Sequence, residues 1–380
     1  MKSVPALLDA SFQNPDLLFG CDREPVDAMI PEPENETIAV RPDEQFDEAA
    51  VAAYLRGRLP GSEAQLTVRQ FGGGAANLTY ELDYGDHVYV LRRPPLGPIA
   101  PKSHDMAREH AVLSRIHEVY EPAPRSFLLC ADESLIGAPF FVMERRYGLV
   151  VRRHMPDAYS EMPDAARRLG EALVEGLAEL HGVDYRALGL DDLGKPTGFI
   201  ERQVQGWLGR WEKARAEELP SMDLVHRWLA DNLPPDSTPA LIHNDYKLDN
   251  SMFAADDPGH LVAVFDWDMA TLGDPLSDLG TLLTYWIDDD DPEEVRAFSP
   301  MPQNAAGFPS RAEIVERYSL AGGRDVSGIR FYHVLGLYRL AVILAQIHIR
   351  WLRGQTRDER FAGLGDLVKL VAAKAAELAR

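Results

Sequence analysis

The stretch that decides the fold reads LIHNDYKLDNSMF at 241–253 and, after a short spacer, HLVAVFDWD at 260–268. In it Asp245, Asn250 and Asp266 stand on short polar segments held between apolar, β-prone runs at 240–242, 251–253 and 261–265. A carboxylate fixed in this way can take a proton from a hydroxyl. An amide oxygen beside a second carboxylate supplies hard oxygen ligands of the kind magnesium takes while it holds phosphates. Transfer of a nucleotide's terminal phosphate needs this donor set.

His243, Asp245 and Asn250 follow the H-x-D-x-x-x-x-N spacing of a kinase catalytic loop. Asp245 is the candidate base or hydroxyl positioner, and Asn250 and Asp266 are the candidate Mg2+ ligands. An isolated Asp here would more simply cap a turn, but two further oxygen donors in register outweigh that reading. His243 is expected to hold the loop through backbone hydrogen bonds rather than to move protons. Asp268 is open between metal, substrate and loop, and Asp249 reads as an exposed turn residue. Asp278, at the start of a helix, is expected to brace the loop through backbone N–H groups.

Upstream, FGGGAAN at 71–77 joins two strands. Gly72, Gly73, Gly74 and Asn77 would let backbone N–H groups approach phosphates closely. The run lacks G-x-G-x-x-G and Walker spacing and serves equally well as a plain turn. Arg92 ends the strand-like YVLR and is the candidate cation over the phosphates, with Glu109 on the next helix as its partner. Arg93 competes for that place. Met143, Glu144 and Arg145 lie where a hinge would offer backbone groups to a purine edge.

The order of elements around these residues predicts an α+β chain of two lobes. A helix at 46–59, strands at 65–69, 78–83 and 87–92, a helix at 106–117 and strands at 127–131 and 140–144 make a small antiparallel-sheet lobe at 46–147. Helices at 165–181, 199–219, 222–232, 311–318, 326–353 and 359–378 make the second lobe, 148–380, mostly helical. Residues 1–45 hold six prolines and ten acidic against three basic residues, and read as a loosely ordered extension. The acidic run at 288–294 reads as a solvated loop, with a substrate-facing cation trap as the alternative.

At 380 residues the chain suits two domains or lobes, and 46% hydrophobic with 26% charged residues is ordinary globular composition. A net charge of −21 argues against nucleic acid or an anionic membrane as the main partner. Cys21 and Cys130 are too few for a disulfide framework, and cytoplasm is the expected compartment. No apolar run of membrane-spanning length and no signal peptide are expected.

The chain resembles the aminoglycoside phosphotransferase and choline kinase superfamily, which shares the protein-kinase fold. Within it, the chain looks like the kinase-like domain found fused to acyl-CoA dehydrogenases. FGGGAANLTYEL, YVLRRPP, REHAVLSRI, GAPFFVMERRYG, ELHGVD, ERQVQGW, LIHNDYKLDN, VFDWDMATLGDPLSDLG, GFPSRAEIVERY and IRWLRGQT carry the resemblance, from about residue 46 onward. It implies ATP or GTP between the lobes, magnesium on Asn250 and Asp266, and a small hydroxyl acceptor against helices of the second lobe, with 199–211 and 332–353 as candidates. Arg92 departs from the Lys of protein kinases. Acidic surface would suit an amine acceptor, whereas Arg202, Arg210, His348, Arg350 and Arg353 would suit an acidic or CoA-linked hydroxyl compound. A nucleotide-binding pseudokinase or regulatory module is the competing reading.

Overall fold

The computed structural model describes residues 36–72, 77–96, 104–288, 291–296, 299–302, 305–356 and 358–380. Gly73, Gly74, Cys21 and most of the 1–45 segment lie outside them. The first lobe comprises β1 (Thr37–Ile38), α1 (Glu48–Leu55), β2 (Thr67–Phe71), β3 (Leu78–Asp83), β4 (Val88–Arg93), α2 (Met106–Ile116), β5 (Ser126–Cys130) and β6 (Phe140–Glu144). Its six strands form one antiparallel sheet in the order β1-β2-β3-β4-β6-β5.

Alternation along β4 separates its two arginines, since successive side chains leave a strand on opposite faces. Arg93 turns into the core beneath the sheet, where its Nη1 donates to Ile136 O at 2.9 Å. Arg92 takes the other face, toward α2. Helix α2 starts where the Asp105 side chain accepts from Arg108 N at 3.0 Å. Met106, Glu109, Val112, Leu113 and Ile116 form its buried stripe at helical spacing. Glu109 therefore rides on a core-facing helix position, which brings an acid to the sheet face that carries Arg92.

The second lobe continues with β7 (Leu149–Val150), α3 (Asp157–Ser160), α4 (Ala165–Gly182), α5 (Phe199–Ala214), α6 (Pro220–Asp231), β8 (Ala240–Ile242), β9 (Ser251–Ala254), β10 (Asp257–Val264) and β11 (Thr271–Gly273). The chain then runs through α7 (Leu276–Tyr285), α8 (Glu293–Arg296), α9 (Arg311–Gly322), α10 (Ile329–Leu352) and α11 (Leu364–Leu378). Two small ladders, β10-β9-β7 and β11-β8, hold the loops at 243–250 and 265–270 side by side. The helix expected over 199–219 ends at Ala214. Pro220 opens α6 at its first turn and forces Leu219 into extended backbone.

Helix α10 corrects the expectation that no run has membrane-spanning length, because its 24 residues are long and apolar enough to cross a bilayer. In this fold it packs against α5, α6, α7 and α11 as the central helix of the lobe. Glycines set its distance from α7. A Cβ on Gly336 would lie 2.3 Å from Thr284 Oγ1 and 2.7 Å from Gly280 O, and one on Gly280 would lie 2.4 Å from Tyr332 O.

Candidate active site

Asp278 anchors the loop that carries Asp245. Fully buried at the start of α7, it accepts the His243 N–H at 2.6 Å and the Asn244 N–H at 2.7 Å, one on each oxygen. Its Oδ2 also meets His181 Nε2 of α4 at 3.3 Å, and His181 Nδ1 meets the Tyr318 hydroxyl of α9 at 2.7 Å. Burial pushes the Asp278 pKa up, yet these donors outweigh it and hold the carboxyl below its ordinary value. Spacing alone does not mark His181 and Tyr318, whose traces in the sequence are the ELHG run at 179–182 and the end of GFPSRAEIVERY at 307–318.

His243 serves as a spacer between the two loops. Its Nε2 donates to Phe265 O at 2.9 Å, which leaves Nδ1 to accept the Asp245 N–H at 3.2 Å. Asn244 and Asp266 both adopt left-handed backbone, φ 67° and 68°. Asn and Asp tolerate that region better than other non-glycine residues. The resulting kinks turn Asp245 and Asp266 into the cleft between the lobes.

There the residues expected to act together do converge. Asn250 Nδ2 donates to Asp245 O at 2.9 Å and to Asp245 Oδ2 at 2.8 Å, which leaves Asn250 Oδ1 without a protein donor among the described residues. Arg92 Nε lies 3.1 Å from Glu109 Oε2, while its Nη2 bonds to Asp266 Oδ1. Glu109 Oε1 accepts the Trp267 N–H at 3.3 Å. Lys247 Nζ lies 3.3 Å from Asp245 Oδ2 and 3.8 Å from Asp249 Oδ2, above the Tyr285 ring. Asp249 is half-buried under Lys247, not the exposed turn residue its polar neighbours suggested.

Negative charge is in excess here. Burial, together with Asp266 and Asp268, raises the Glu109 pKa to about 7 against the pull of Arg92. Burial and the neighbouring Asp266 and Asp245 raise Asp268 to about 6. Among the described residues no three His, Cys, Asp or Glu side chains close a metal site by themselves. The hard donors present are Asn250 Oδ1, which has no protein donor among the described residues, and the Asp266 carboxylate, one oxygen of which Arg92 holds. That suits magnesium, which keeps waters and substrate phosphates as its other ligands.

The remaining nucleotide candidates are placed less uniformly. Gly72 N–H faces Glu36 O of the β1 edge at 3.5 Å, and Gly72 O accepts from Arg41. Asn77 turns inward, its Oδ1 2.8 Å from His104 Nδ1, and the same His104 nitrogen is 3.9 Å from Asp268 Oδ2. His104 thus links the glycine segment to the second loop, a contact between distant positions that no local pattern announces. Met143 lines a small recess with Arg92 and Asp266. The Glu144 N–H is spent on Arg125 O at 2.8 Å, which removes it from the groups expected to meet a purine edge. Arg145 is paired with Glu36 and Glu81 and lies between the Phe71 and Tyr147 rings.

A second cavity opens beside Asp245, lined by Trp207 of α5, Met269, Thr281 and Tyr285 of α7, and Arg339 and Ile343 of α10. Arg210 stacks on Trp207 at 4.3 Å. Two of the other basic candidates are engaged elsewhere: Arg202 caps the Lys195 and Thr197 carbonyls, and His348 bonds Phe361 O and stacks on Trp351. Arg339 belongs to no motif, and its one signal in the sequence is an Arg at the middle of an otherwise apolar helical run.

Comparison with known proteins agrees with this architecture. A Ralstonia eutropha structure, a candidate aminoglycoside phosphotransferase, shares 30% identity with a TM-score of 0.76 over 88% of this chain and 98% of its own. A thermostable aminoglycoside phosphotransferase solved with AMP-PNP and hygromycin B has the same fold at 16% identity, with a TM-score of 0.55 over 87% of this chain and 98% of that one. Acyl-CoA dehydrogenase family member 11 of Rattus norvegicus is 34% identical over 331 residues, 85% of this chain. The match covers only 42% of that relative's length. The family model described as "Phosphotransferase enzyme family" matches residues 67–314, and with the two-lobed kinase-like fold this establishes that the chain belongs to that phosphotransferase family.

Proposed function

We propose that the chain transfers the γ-phosphoryl group of ATP or GTP to a hydroxyl of a small acceptor. The observation that carries this reading is the convergence of Asp245, Asn250 and Asp266 from two loops under the Arg92–Glu109 pair. The acceptor hydroxyl gives its proton to the Asp245 carboxylate as its oxygen bonds to the γ-phosphorus. The bond from that phosphorus to the β–γ bridging oxygen breaks, and the nucleoside diphosphate leaves with the electron pair. Asn250 and Asp266 would hold Mg2+, which neutralises charge on the phosphate oxygens when bound. Arg92 supplies the fixed cation for the nucleotide phosphates, Glu109 keeps it in place, and His243 holds Asp245 at its working position.

Magnesium-dependent nucleotide turnover over a panel of hydroxyl acceptors tests this. Asp245→Asn is expected to keep nucleotide affinity and lose transfer by a factor of about 10²–10⁴. Asp266→Ala is expected to weaken magnesium-nucleotide binding as well. If wild type phosphorylates nothing and both variants bind the magnesium nucleotide as wild type does, the reading fails.

A further inference from the structure

We propose that Arg339, assisted by Arg210, selects an acceptor bearing an oxyanion: a hydroxy acid, not a polycationic amino sugar. This rests on the phosphotransferase reading of Asp245 and names the acceptor class for that same site.

Arg339 lies at the middle of α10 and is 8% exposed. A buried charge is ordinarily paired with an opposite one. Among the described residues, however, Arg339 meets no carboxylate. Its Nη1 donates to Thr281 Oγ1 at 3.2 Å, its Nη2 to Asn244 O at 3.1 Å, and its guanidinium lies 5.4 Å from the Trp207 ring centre. Two neutral acceptors leave most of its five donors unused, and the carboxylates that act on its charge, Asp278 and Asp245, do so without an ion pair to it. The guanidinium also lines the cavity beside Asp245.

The cavity contains the rest of the argument. Asp245 is its only acid among the described residues, and that carboxylate is already engaged by Lys247 and Asn250. A polyamine would therefore find no free carboxylate and would bring its charge against Arg339. An oxyanion would meet a planar fork able to bind it through two hydrogen bonds. Met269, Leu340 and Ile343 give the space between apolar sides that fit a short aliphatic spacer. Arg210, exposed and stacked on the same Trp207 ring, extends the positive potential toward solvent. Hydroxyl at Asp245, aliphatic body, oxyanion at Arg339 is the order these groups read out.

The test compares linear ω-hydroxy acids of about two to six carbons with ω-amino alcohols of matched length and with kanamycin. Transfer from magnesium ATP or GTP is measured, together with the rise in Tm each compound gives in the presence of magnesium and AMP-PNP. Wild type is expected to favour the acids by at least about tenfold in kcat/KM, or to be stabilised by them alone. Arg339→Met should collapse that preference, mainly through KM, and Arg339→Lys should restore part of it. Acceptor-free nucleotide hydrolysis and Tm report separately whether the loop at Asn244 survives each change.

Equal or better use of the amino compounds by wild type would overturn the proposal. So would an Arg339→Met enzyme that loses every acceptor and hydrolysis by one common factor yet still prefers acids, the result of a purely structural arginine. Magnesium-nucleotide binding and hydrolysis with neither class phosphorylated or stabilising would also overturn it and leave the nucleotide site standing. Absence of magnesium-nucleotide binding would instead remove the phosphotransferase reading beneath it.

Discussion

At the scale of single residues, the site depends on a buried carboxylate that touches no reactant. Asp278 satisfies two consecutive loop N–H groups and a histidine at once. Asp278→Ala would leave both N–H groups buried without partners, at an expected cost of about 3–5 kcal/mol by urea denaturation. A loss below about 1 kcal/mol would show that water replaces the carboxylate and that the loop is held by other means. Its place at a helix start after Gly273-Asp274-Pro275 made this residue legible in the sequence, as the H-x-D-x-x-x-x-N spacing did for Asp245 and Asn250. Alternation along β4 separates Arg92 from Arg93, but the direction of that alternation is fixed only by which face receives α2. His104 and Arg339 were not legible, because each acts through partners more than twenty residues away in sequence.

At the scale of elements, the helices were legible where a cap or an apolar stripe marked them, as Asp105 and the buried face of α2 do. Boundaries slipped where two segments of helical pattern meet. The run at 359–378 is a tight turn at Glu359–Phe361 followed by α11, divided at Gly363. The close seating of α10 on α7 was not legible, since a glycine inside a helix pattern reads only as a weak position. Gly336→Ala would set a methyl against Thr284 Oγ1 and the Gly280 carbonyl. Its gain in helix propensity, about 1 kcal/mol, is expected to be outweighed, so that stability falls by about 1–3 kcal/mol. An unchanged or higher denaturation midpoint would mean that the two helices part at no cost.

At the scale of the whole molecule, the two-lobed order followed from the chain sequence of glycine turn, strand-end Arg, helix Glu and catalytic loop. Stability against acid was not legible, because it arises from elements far apart. Asp291 is reached by Arg311 of α9 at 2.6 Å and by Lys374 of α11 at 2.7 Å. Burial would raise its pKa, but these donors and the Asp288 N–H bring it from 3.8 to about 2. A depressed carboxyl stabilises the fold above its unfolded pKa and loses that contribution as pH falls through the folded one. Burial and the nearby Arg311 lower the Lys374 pKa in spite of Asp291, and at Asp291 the bond from Arg311 acts more strongly than the one from Lys374. Asp291→Asn should therefore destabilise by about 2 kcal/mol at neutral pH, with the gap to wild type closing between about pH 4 and 2. A pH-independent gap would place the effect in packing instead. The carbonyl of Asn244 joins these scales, since the helix that walls the acceptor cavity also holds, through Arg339, the residue just before Asp245. Exchanging Arg339 for an acid to admit an amine would remove that support in the same step. Acceptor preference and loop geometry are thus inherited together, and a change of substrate class along this route requires a compensating change at residue 244 or in α7.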